Sequence, residues 1–257
     1  MNESLYEIDY SNFDIEIFRK FENKRKLKVF IYKSKPLSSP EKQISMVLFH
    51  GGGFRIGSPD RFYPQALYFS SLGYKVFVPE YRTEEKYGTT AMHATEDAHF
   101  FYNWLISNSK RLKINKNKII IGGGSAGGQL AASIANVKYF RKENLPKPLA
   151  LILYNPALNI SRKTKMEDNY FRLYYKDPGK QPLDNFPPCI IMHGTKDNVI
   201  PIKWISEFVD NLKSKGIDCV FKTFEGEEHG FFNKNLNNYN FLATNKLIKN
   251  FLKKRGI

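Results

Sequence analysis

The sequence predicts an α/β fold with a mainly parallel sheet and helices on both of its faces. Short apolar runs, such as residues 44–49 and 119–121, alternate along the chain with longer segments whose apolar residues recur at helical spacing, such as residues 91–108. A continuous apolar run is typical of a strand that is buried on both faces, as in parallel sheets. We therefore expect one sheet assembled from successive strand–helix units.

The remaining elements follow from the same two patterns and from the turn residues between them. Gly73 ends the first predicted helix, and a turn from Pro36 to Pro40 closes the first predicted strand. Residues up to about 22 show no clear period, and no element is predicted there. The expected strands are 27–32, 44–49, 74–81, a run ending near 121, 149–154, 189–192 and 218–224; the expected helices are 61–72, 91–108, 126–139, 201–215 and 239–254.

The 257 residues are expected to form a single domain, residues 1–257, because no linker, repeat or low-complexity tract interrupts the pattern. A chain of this length can bury a large core. The segment at about 155–188 is too long for an ordinary connection in a compact domain. We expect it to be a lid or a substrate-binding loop.

The net charge of +15 raises the question of a nucleic-acid partner. Lysines are spread through every segment instead of forming a stripe, so we expect a solvated basic surface and no nucleic-acid binding. Cys189 and Cys219 stand singly in apolar runs and are expected to be free buried thiols. The oligomeric state stays open.

The first residues show neither the basic nor the apolar region of a signal peptide. No apolar run approaches the roughly 20 residues that a membrane span needs. The sequence as given therefore predicts a cytoplasmic protein, or a periplasmic or secreted one if a leader has been removed.

One glycine-rich stretch carries the strongest chemical signal. The apolar run 119–121 continues as Gly-Gly-Gly-Ser125-Ala-Gly-Gly, which predicts a buried strand that turns sharply into a helix at Ser125. Such a turn needs steric room two residues to either side, where Gly123 and Gly127 stand. It presents a hydroxyl at a helix N-terminus, where free N–H groups favour an oxyanion.

The same letters allow other interpretations. Gly122, Gly124 and Gly127 also match the dinucleotide-binding pattern G-x-G-x-x-G, which requires an acidic residue at the end of the next strand. The strand at 149–154 ends in Asn155-Pro156 instead, and the Gly-Lys-Ser/Thr ending of a P-loop is absent. On this stretch alone, a plain glycine-rich turn remains an alternative.

Partners for a nucleophilic serine follow two later strands. A serine hydroxyl needs an imidazole to take its proton and a carboxylate to orient that imidazole. Asp197 lies just past the strand 189–192, and His229 lies past the strand 218–224. Carboxyl ends of parallel strands share one edge of the sheet, so we expect Ser125, Asp197 and His229 to meet there.

An anion-binding loop completes the predicted site. His50-Gly-Gly-Gly follows the strand 44–49, and the N–H groups of Gly52, Gly53 and Ala126 are the candidate oxyanion donors. Other residues could replace Asp197 as the acid, and two histidines are expected only to shape loops. These alternatives are Asp168, Asp177, Asp184, Glu225, Glu227 and Glu228, with His50 and His193 as the loop histidines.

Four motifs occur in order between about residue 27 and the last helix: HGGGF, GGSAGG, HGTKDNVIP and EHGF. Together they resemble the α/β-hydrolase superfamily, in particular the HGGG-type serine esterases related to hormone-sensitive lipase and acetyl-xylan esterases. The resemblance implies that Ser125 is the nucleophile, Asp197 the orienting acid and His229 the base, without a metal or cofactor. Many lipase-like relatives carry an acidic residue where this chain has Gly124, and the segment before HGGG is short for their helical cap.

A minimal cap predicts short-chain acyl esters, such as acetyl esters, as substrates. The alcohol could be a small molecule or an O-acetylated carbohydrate, because aromatic and basic residues of the long segment suit a sugar or an anionic polysaccharide. An arylformamidase, a small-peptide hydrolase and a non-catalytic ligand-binding member of the fold remain alternatives. The expected substrate contacts are Phe54, Tyr170, Tyr174 and Tyr175, with Arg162, Lys163 and Lys165 beside them.

Overall fold

A computed structural model describes residues 6–34, 43–136, 145–158, 182–184, 186–235 and 237–257. Its strands are β1 (Phe13–Lys20), β2 (Lys26–Tyr32), β3 (Ser45–Phe49), β4 (Lys75–Pro79), β5 (Ile119–Gly124), β6 (Ala150–Tyr154), β7 (Cys189–Gly194) and β8 (Cys219–Phe224). Its helices are α1 (Tyr63–Ser71), α2 (Glu84–Tyr87), α3 (Ala91–Ser107), α4 (Ala126–Asn136), α5 (Ile202–Ser214) and α6 (Asn238–Lys253), with 3-10 turns at Tyr10–Asn12 and Pro59–Phe62. The predicted α/β fold is confirmed.

The described strands form one sheet in the order β1-β2-β4-β3-β5-β6-β7-β8. All neighbours from β4 to β8 pair in parallel, whereas β2 pairs antiparallel with both β1 and β4. Strands β3, β5, β6 and β7 are buried at every position, as their continuous apolar runs predict.

Two hydrophobic clusters cover the two faces of the sheet. Successive residues of β3 divide between them, since Val47 belongs to one cluster and Leu48 to the other. Helices α3, α4 and α5 contribute to the first cluster, for example through Phe101 and Phe208. Helices α1 and α6 contribute to the second, for example through Phe251. The sheet therefore lies between two helical layers.

Strand β1 is the longest element that sequence patterning missed, and the four-residue helix α2 was missed as well. Phe13 and Phe18 are each 5% exposed, whereas Ile15 is 45% exposed and Ile17 is 39% exposed. The pairing of β1 with β2 shifts register between Ile17 and Arg19. Because this irregularity interrupts the alternation of faces, the strand has no clean period of two.

Most of the other element boundaries lie within about two residues of the predicted ones, and β5 continues to Gly124, three residues beyond the predicted end near 121. The end of the helix predicted at 126–139 and most of the segment at about 155–188 lie outside the described residues. The single domain and its lid therefore stay predictions. Among the helices that are described, none is long and apolar enough to cross a membrane.

Candidate active site

The chemistry-bearing residues follow four neighbouring strands of the sheet. Ser125 follows β5, Asn155 follows β6, Asp197 lies three residues beyond β7, and His229 lies on the loop after β8. These strands are adjacent and parallel, so their carboxyl ends share one edge. This edge is where open α/β sheets bind ligands.

Ser125 lies in a sharp left-handed turn between β5 and α4. Its φ is 53°, which is unfavourable for a residue with a Cβ. Its N–H donates to the Tyr154 carbonyl at 2.9 Å, and its carbonyl accepts the Gln129 N–H at 3.1 Å and the Ala157 N–H at 3.0 Å. These backbone bonds to α4 and to the strand beside β5 hold the serine in the turn.

The glycines beside Ser125 provide the predicted steric room. A Cβ on Gly127 would lie 2.0 Å from the Phe49 carbonyl oxygen, and a Cβ on Gly123 would lie 2.5 Å from the Gly127 carbonyl carbon. Strand β3, the turn and the start of α4 can approach this closely only with glycine at both positions.

Asp197 and His229 form a hydrogen-bonded pair. His229 Nδ1 donates to Asp197 Oδ2 at 2.8 Å, and Asp197 Oδ1 accepts the N–H groups of Val199 at 2.9 Å and Ile200 at 2.8 Å. Burial acts to raise the pKa of Asp197, but the hydrogen bonds from His229 and the Ile200 N–H outweigh it, and the pKa lies below its usual value. The ionised carboxylate directs the imidazole so that Nε2 can accept a proton.

Asn155 is a site residue that sequence reasoning missed. It is buried, has φ 31°, and its N–H donates to the Met192 carbonyl at 2.8 Å. Its Nδ2 donates to His229 Nε2 at 3.3 Å, and its Oδ1 accepts the Gly230 N–H at 3.4 Å. In the described part of the chain, Asn155 and not Ser125 therefore hydrogen-bonds His229 Nε2. The signal in the sequence was an amide side chain at a strand end.

The predicted oxyanion loop lies against the serine turn. Gly52 has φ 127°, and a Cβ there would lie 2.0 Å from the Ile56 carbonyl oxygen. The Gly52 carbonyl accepts the N–H groups of Arg55 and Ile56, while the N–H groups of Gly52 and Gly53 have no hydrogen-bond partner in the part of the chain that is described. Ala126 begins α4, so its N–H is also outside the helical ladder. The donor role of these groups stays a prediction.

Ser125 and His229 line one cavity of about 240 Å³. Phe62 and Phe232 both line it, and their rings stack on each other with centroids 5.9 Å apart. A Cβ on Gly124 would lie 2.6 Å from the Phe232 ring, so an acidic side chain before the serine would require this ring to move. The other lining residues are Gly51, Gly52, Gly53, Arg61, Gly124, Asn155, Val199, Gly230 and Asn233.

The structure corrects one predicted substrate contact. Phe54 is 2% exposed, belongs to the hydrophobic core and is not among the residues that line the cavity. Its φ of 63° turns the side chain of this loop residue into the core. Tyr170, Tyr174 and Tyr175 lie outside the described residues, as do Arg162, Lys163, Lys165, Asp168 and Asp177.

The remaining alternatives have other partners. Asp184 lies 3.9 Å from Lys215 Nζ and does not line the cavity, and Glu227 Oε1 accepts a 3.4 Å hydrogen bond from Asn237. His193 is buried behind Asp197, and its Nε2 donates to the Ile200 carbonyl at 2.8 Å. His50 is buried under the oxyanion loop and stacks on Tyr81 at 4.1 Å.

The two cysteines are free, as predicted, and they lie opposite each other on neighbouring strands. Cys189 is buried, Cys219 is half-buried, and the two are directly paired on β7 and β8. Within the described residues there is no cluster of three or more His, Cys, Asp or Glu side chains suited to a metal ion.

A parallel sheet that presents a serine between strand and helix, with an Asp–His pair on later strand-end loops, defines the class of serine hydrolases. Comparison of sequences agrees: a family model described as the alpha/beta hydrolase fold matches residues 46–178, and the chain belongs to that family. A second model, for the prolyl oligopeptidase family, matches residues 151–255.

Solved structures of esterase 2 from Thermogutta terrifontis are similar to nearly the whole chain. The form phosphorylated by paraoxon has a TM-score of 0.86 at 30% identity and covers 96% of both chains. The propionate-bound form has a TM-score of 0.84 at 30% identity, covering 97% of this chain and 96% of that chain. These neighbours place the chain among the ester hydrolases of the fold.

Curated relatives are more distant and longer. Lipase 2 of Moraxella sp. (strain TA144) is 24% identical over 241 residues, with 74% of this chain and 55% of the relative covered. Endo-1,4-beta-xylanase B of Butyrivibrio fibrisolvens is 26% identical over 207 residues, with 74% of this chain and 32% of the relative covered. The chain thus spans about a third to just over half of these two proteins.

Proposed function

We propose that this protein hydrolyses short-chain carboxylic esters with Ser125 as nucleophile, His229 as general base and Asp197 as the orienting acid. One observation carries the proposal: His229, held by Asp197 at 2.8 Å, lines the same cavity as a serine in a left-handed strand–helix turn. A buried structural histidine would not need a nucleophile beside it in a cavity.

The geometry supports acyl transfer in two steps. His229 Nε2 takes the Ser125 proton as Oγ attacks the ester carbonyl, and the same nitrogen then protonates the leaving alcohol. The resulting acyl-enzyme is cleaved by a water molecule that His229 activates in the same way. The ionised Asp197 stabilises the imidazolium in each step. Removing one oxyanion donor from such a site costs about 10²–10³ in rate, so the N–H groups of Gly52, Gly53 and Ala126 would contribute a large share.

The cavity supports small acyl groups. Its volume is about 240 Å³, and the stacked Phe62 and Phe232 rings line it. Each buried methylene is worth about 0.8 kcal/mol, so an enzyme with a long acyl tunnel would favour longer esters several-fold per carbon. Here we expect acetate to butyrate esters to be best. The similar Thermogutta terrifontis esterase 2 has been solved bound to propionate and to butyrate.

Two finer substrate classes can be compared directly. O-acetylated carbohydrate is favoured by the similarity to a xylanase B chain. A small peptide is favoured by the match of residues 151–255 to the prolyl oligopeptidase family. Acetylated xylan oligomers and N-acetylalanine p-nitroanilide represent these classes, and N-formylkynurenine represents the arylformamidases.

The test compares wild type with Ser125→Ala on p-nitrophenyl acetate, butyrate and octanoate, beside the three substrates above. We expect wild type to prefer acetate or butyrate and Ser125→Ala to lose all but about 0.1% of the activity, because the hydroxyl forms the acyl-enzyme. A fluorophosphonate probe should label wild type but not Ser125→Ala. Ser71→Ala, an exposed serine at the end of α1, is the matched control and should behave as wild type.

Different outcomes would overturn different parts of the proposal. Wild type that turns over no ester would indicate a non-catalytic member of the fold. Activity above a few per cent in Ser125→Ala would remove the serine from the mechanism. A clear preference for octanoate would contradict the small-acyl assignment alone.

A further inference from the structure

Arg61 differs from every other arginine of the described chain in having no polar partner for its side chain. Each of the others donates to a carboxylate or a carbonyl, whereas the guanidinium of Arg61 makes neither a hydrogen bond nor an ion pair with a described residue. The others are Arg19, Arg25, Arg55, Arg82, Arg111 and Arg255.

The position of Arg61 makes this lack of a partner informative. Arg61 lies in the 3-10 turn Pro59–Phe62 that leads into α1, is half-buried, and lines the same cavity as Ser125 and His229. A half-buried guanidinium without a protein partner leaves its N–H donors free for a ligand. Such a group is typical of a site that a ligand completes.

Among the described residues, the lining of the cavity holds no acidic side chain that would neutralise the guanidinium. Among the described residues that line the cavity, Arg61 is the one arginine or lysine, and none is Asp or Glu. Asp60, the neighbour of Arg61 in the sequence, accepts a hydrogen bond from the hydroxyl of Ser58. Burial is the main cause of the shifted pKa values of His50 and Tyr81, and the charge of Arg61 acts to lower both.

We infer that Arg61 is an anion-binding residue of this cavity and that the preferred substrates are small esters carrying a carboxylate near the scissile bond. The substrate preference rests on the proposed ester hydrolysis, whereas the binding of an anion by Arg61 does not. A guanidinium offers a planar fork of donors that fits a carboxylate through two parallel hydrogen bonds. The amides of Asn155 and Asn233 line the same cavity and add further polar contacts.

The kinetic test uses pairs of esters that differ only in charge. 4-Acetoxybenzoate against 4-acetoxybenzamide places the carboxylate on the alcohol side, and monophenyl glutarate against its ω-amide places it on the acyl side. We expect wild type to prefer the anion in one pair by about 10-fold or more in kcat/KM, since each pair isolates one charge-assisted contact. The preference should fall as salt is added.

Variants assign the preference to Arg61. Arg61→Gln should lose about 10- to 100-fold on the preferred anionic ester and less than about threefold on its neutral partner, with Arg61→Lys between the two. Arg55→Gln is the matched control, because Arg55 stands on the same loop, is exposed and pairs with Glu84 outside the cavity. It should leave both rates unchanged.

A binding measurement separates this inference from the proposed function. Calorimetry with 4-acetamidobenzoate and 4-acetamidobenzamide, which lack the ester, should show tighter binding of the anion to wild type and no such difference in Arg61→Gln. If neutral esters are hydrolysed but neither charge preference nor anion binding depends on Arg61, the anion site is wrong and the esterase proposal stands. If the anion binds through Arg61 but no ester is hydrolysed, the proposed function is wrong and the anion site stands.

Discussion

At the residue scale, the imidazole of His229 is held on both of its nitrogens. Asp197 accepts from Nδ1 at 2.8 Å, and Asn155 donates to Nε2 at 3.3 Å. In the proposed mechanism, proton transfer from Ser125 requires the Nε2 lone pair, so Asn155 and Ser125 would compete for the same atom. A neutral amide can give up this contact readily, because its hydrogen bond is long and uncharged.

We predict that Asn155→Asp moves the acid limb of the pH–activity profile upward by about one pH unit or more. The new carboxylate would face Nε2 and stabilise the protonated imidazole, which cannot act as a base. Activity on p-nitrophenyl acetate should therefore fall at pH 7 and recover towards pH 9. Both residues tolerate the left-handed backbone found here, so the fold should be kept.

Asn233→Asp is the matched control for this change. Asn233 lines the same cavity, but its Nδ2 donates to the Gly230 carbonyl and not to the imidazole. A smaller shift in Asn233→Asp than in Asn155→Asp is expected. Equal shifts would mean that a general negative potential, and not the contact with Nε2, governs the profile.

The sequence predicted which residues would meet but not all of their contacts. Ser125, Asp197 and His229 could be found because each follows a strand end, and parallel topology brings strand ends together. Asn155 also follows a strand end, but its contact with His229 could not be predicted, since that contact depends on a left-handed turn that no local pattern specifies. Arg61 could not be found either, because it stands out only in the structure, where it lines the cavity and has no polar partner among the described residues.

At the scale of elements, a buried ion cluster of Arg19, Arg82, Glu96 and Asp97 joins β1 and the loop after β4 to α3. The side chain of Asp97 is fully buried; its Oδ1 lies 2.5 Å from Arg19 Nη1, and its Oδ2 lies 2.8 Å from Arg82 Nε. Glu96 completes the cluster at 2.8 Å from Arg19 and 2.7 Å from Arg82. The cluster fixes the edge strand β1, which the apolar pattern alone did not predict.

We predict that Asp97→Asn lowers the free energy of unfolding by about 3 kcal/mol or more. The substitution leaves two largely buried guanidinium groups without their buried counter-charge, which is far more costly than losing an exposed pair. Urea denaturation of the two proteins measures the difference.

Glu16→Gln is the control for this prediction, because Glu16 also joins β1 to the region after α3. Its partner Arg111 is 52% exposed, and the pair lies at 2.7 Å. Exposed ion pairs contribute about 0–1 kcal/mol, so Glu16→Gln should be nearly neutral. If Asp97→Asn and Glu16→Gln lower the free energy of unfolding by similar amounts, burial does not determine how much the ion cluster stabilises the fold.

At the scale of the whole molecule, the two helical layers were predictable and their buried polar residues were not. Periodicity assigns Phe101 and Phe251 to helices that cover a sheet, and the structure places them on opposite faces. Periodicity does not predict the role of His50, which follows a buried strand and is 1% exposed. Whether such a histidine is a ligand, a base or a packed ring depends on three-dimensional neighbours.

Burial lowers the pKa of His50 to about 4, partly opposed by its hydrogen bond to the Gly51 carbonyl. In the unfolded chain the same imidazole titrates at its usual value, about 6.5. Between these two values the unfolded state binds a proton that the native state does not, so stability falls as the pH drops from about 6.5 towards 4. From pH 7 to pH 5, this one residue should cost about 2 kcal/mol of the free energy of unfolding.

We predict that His50→Gln removes about this much of the acid sensitivity, although its stability at pH 7 is lower because the stacking on Tyr81 is lost. The measurement is urea denaturation of both proteins at pH 7 and pH 5, compared as the difference between the two pH values. The lost packing lowers the free energy of unfolding equally at both pH values, so it cancels in this difference. What remains is the contribution of proton uptake by the imidazole. His93→Gln is the control, since His93 only caps α3 through Thr90 at the half-buried start of that helix. An unchanged pH difference in His50→Gln would show that other groups cause the loss of stability in acid.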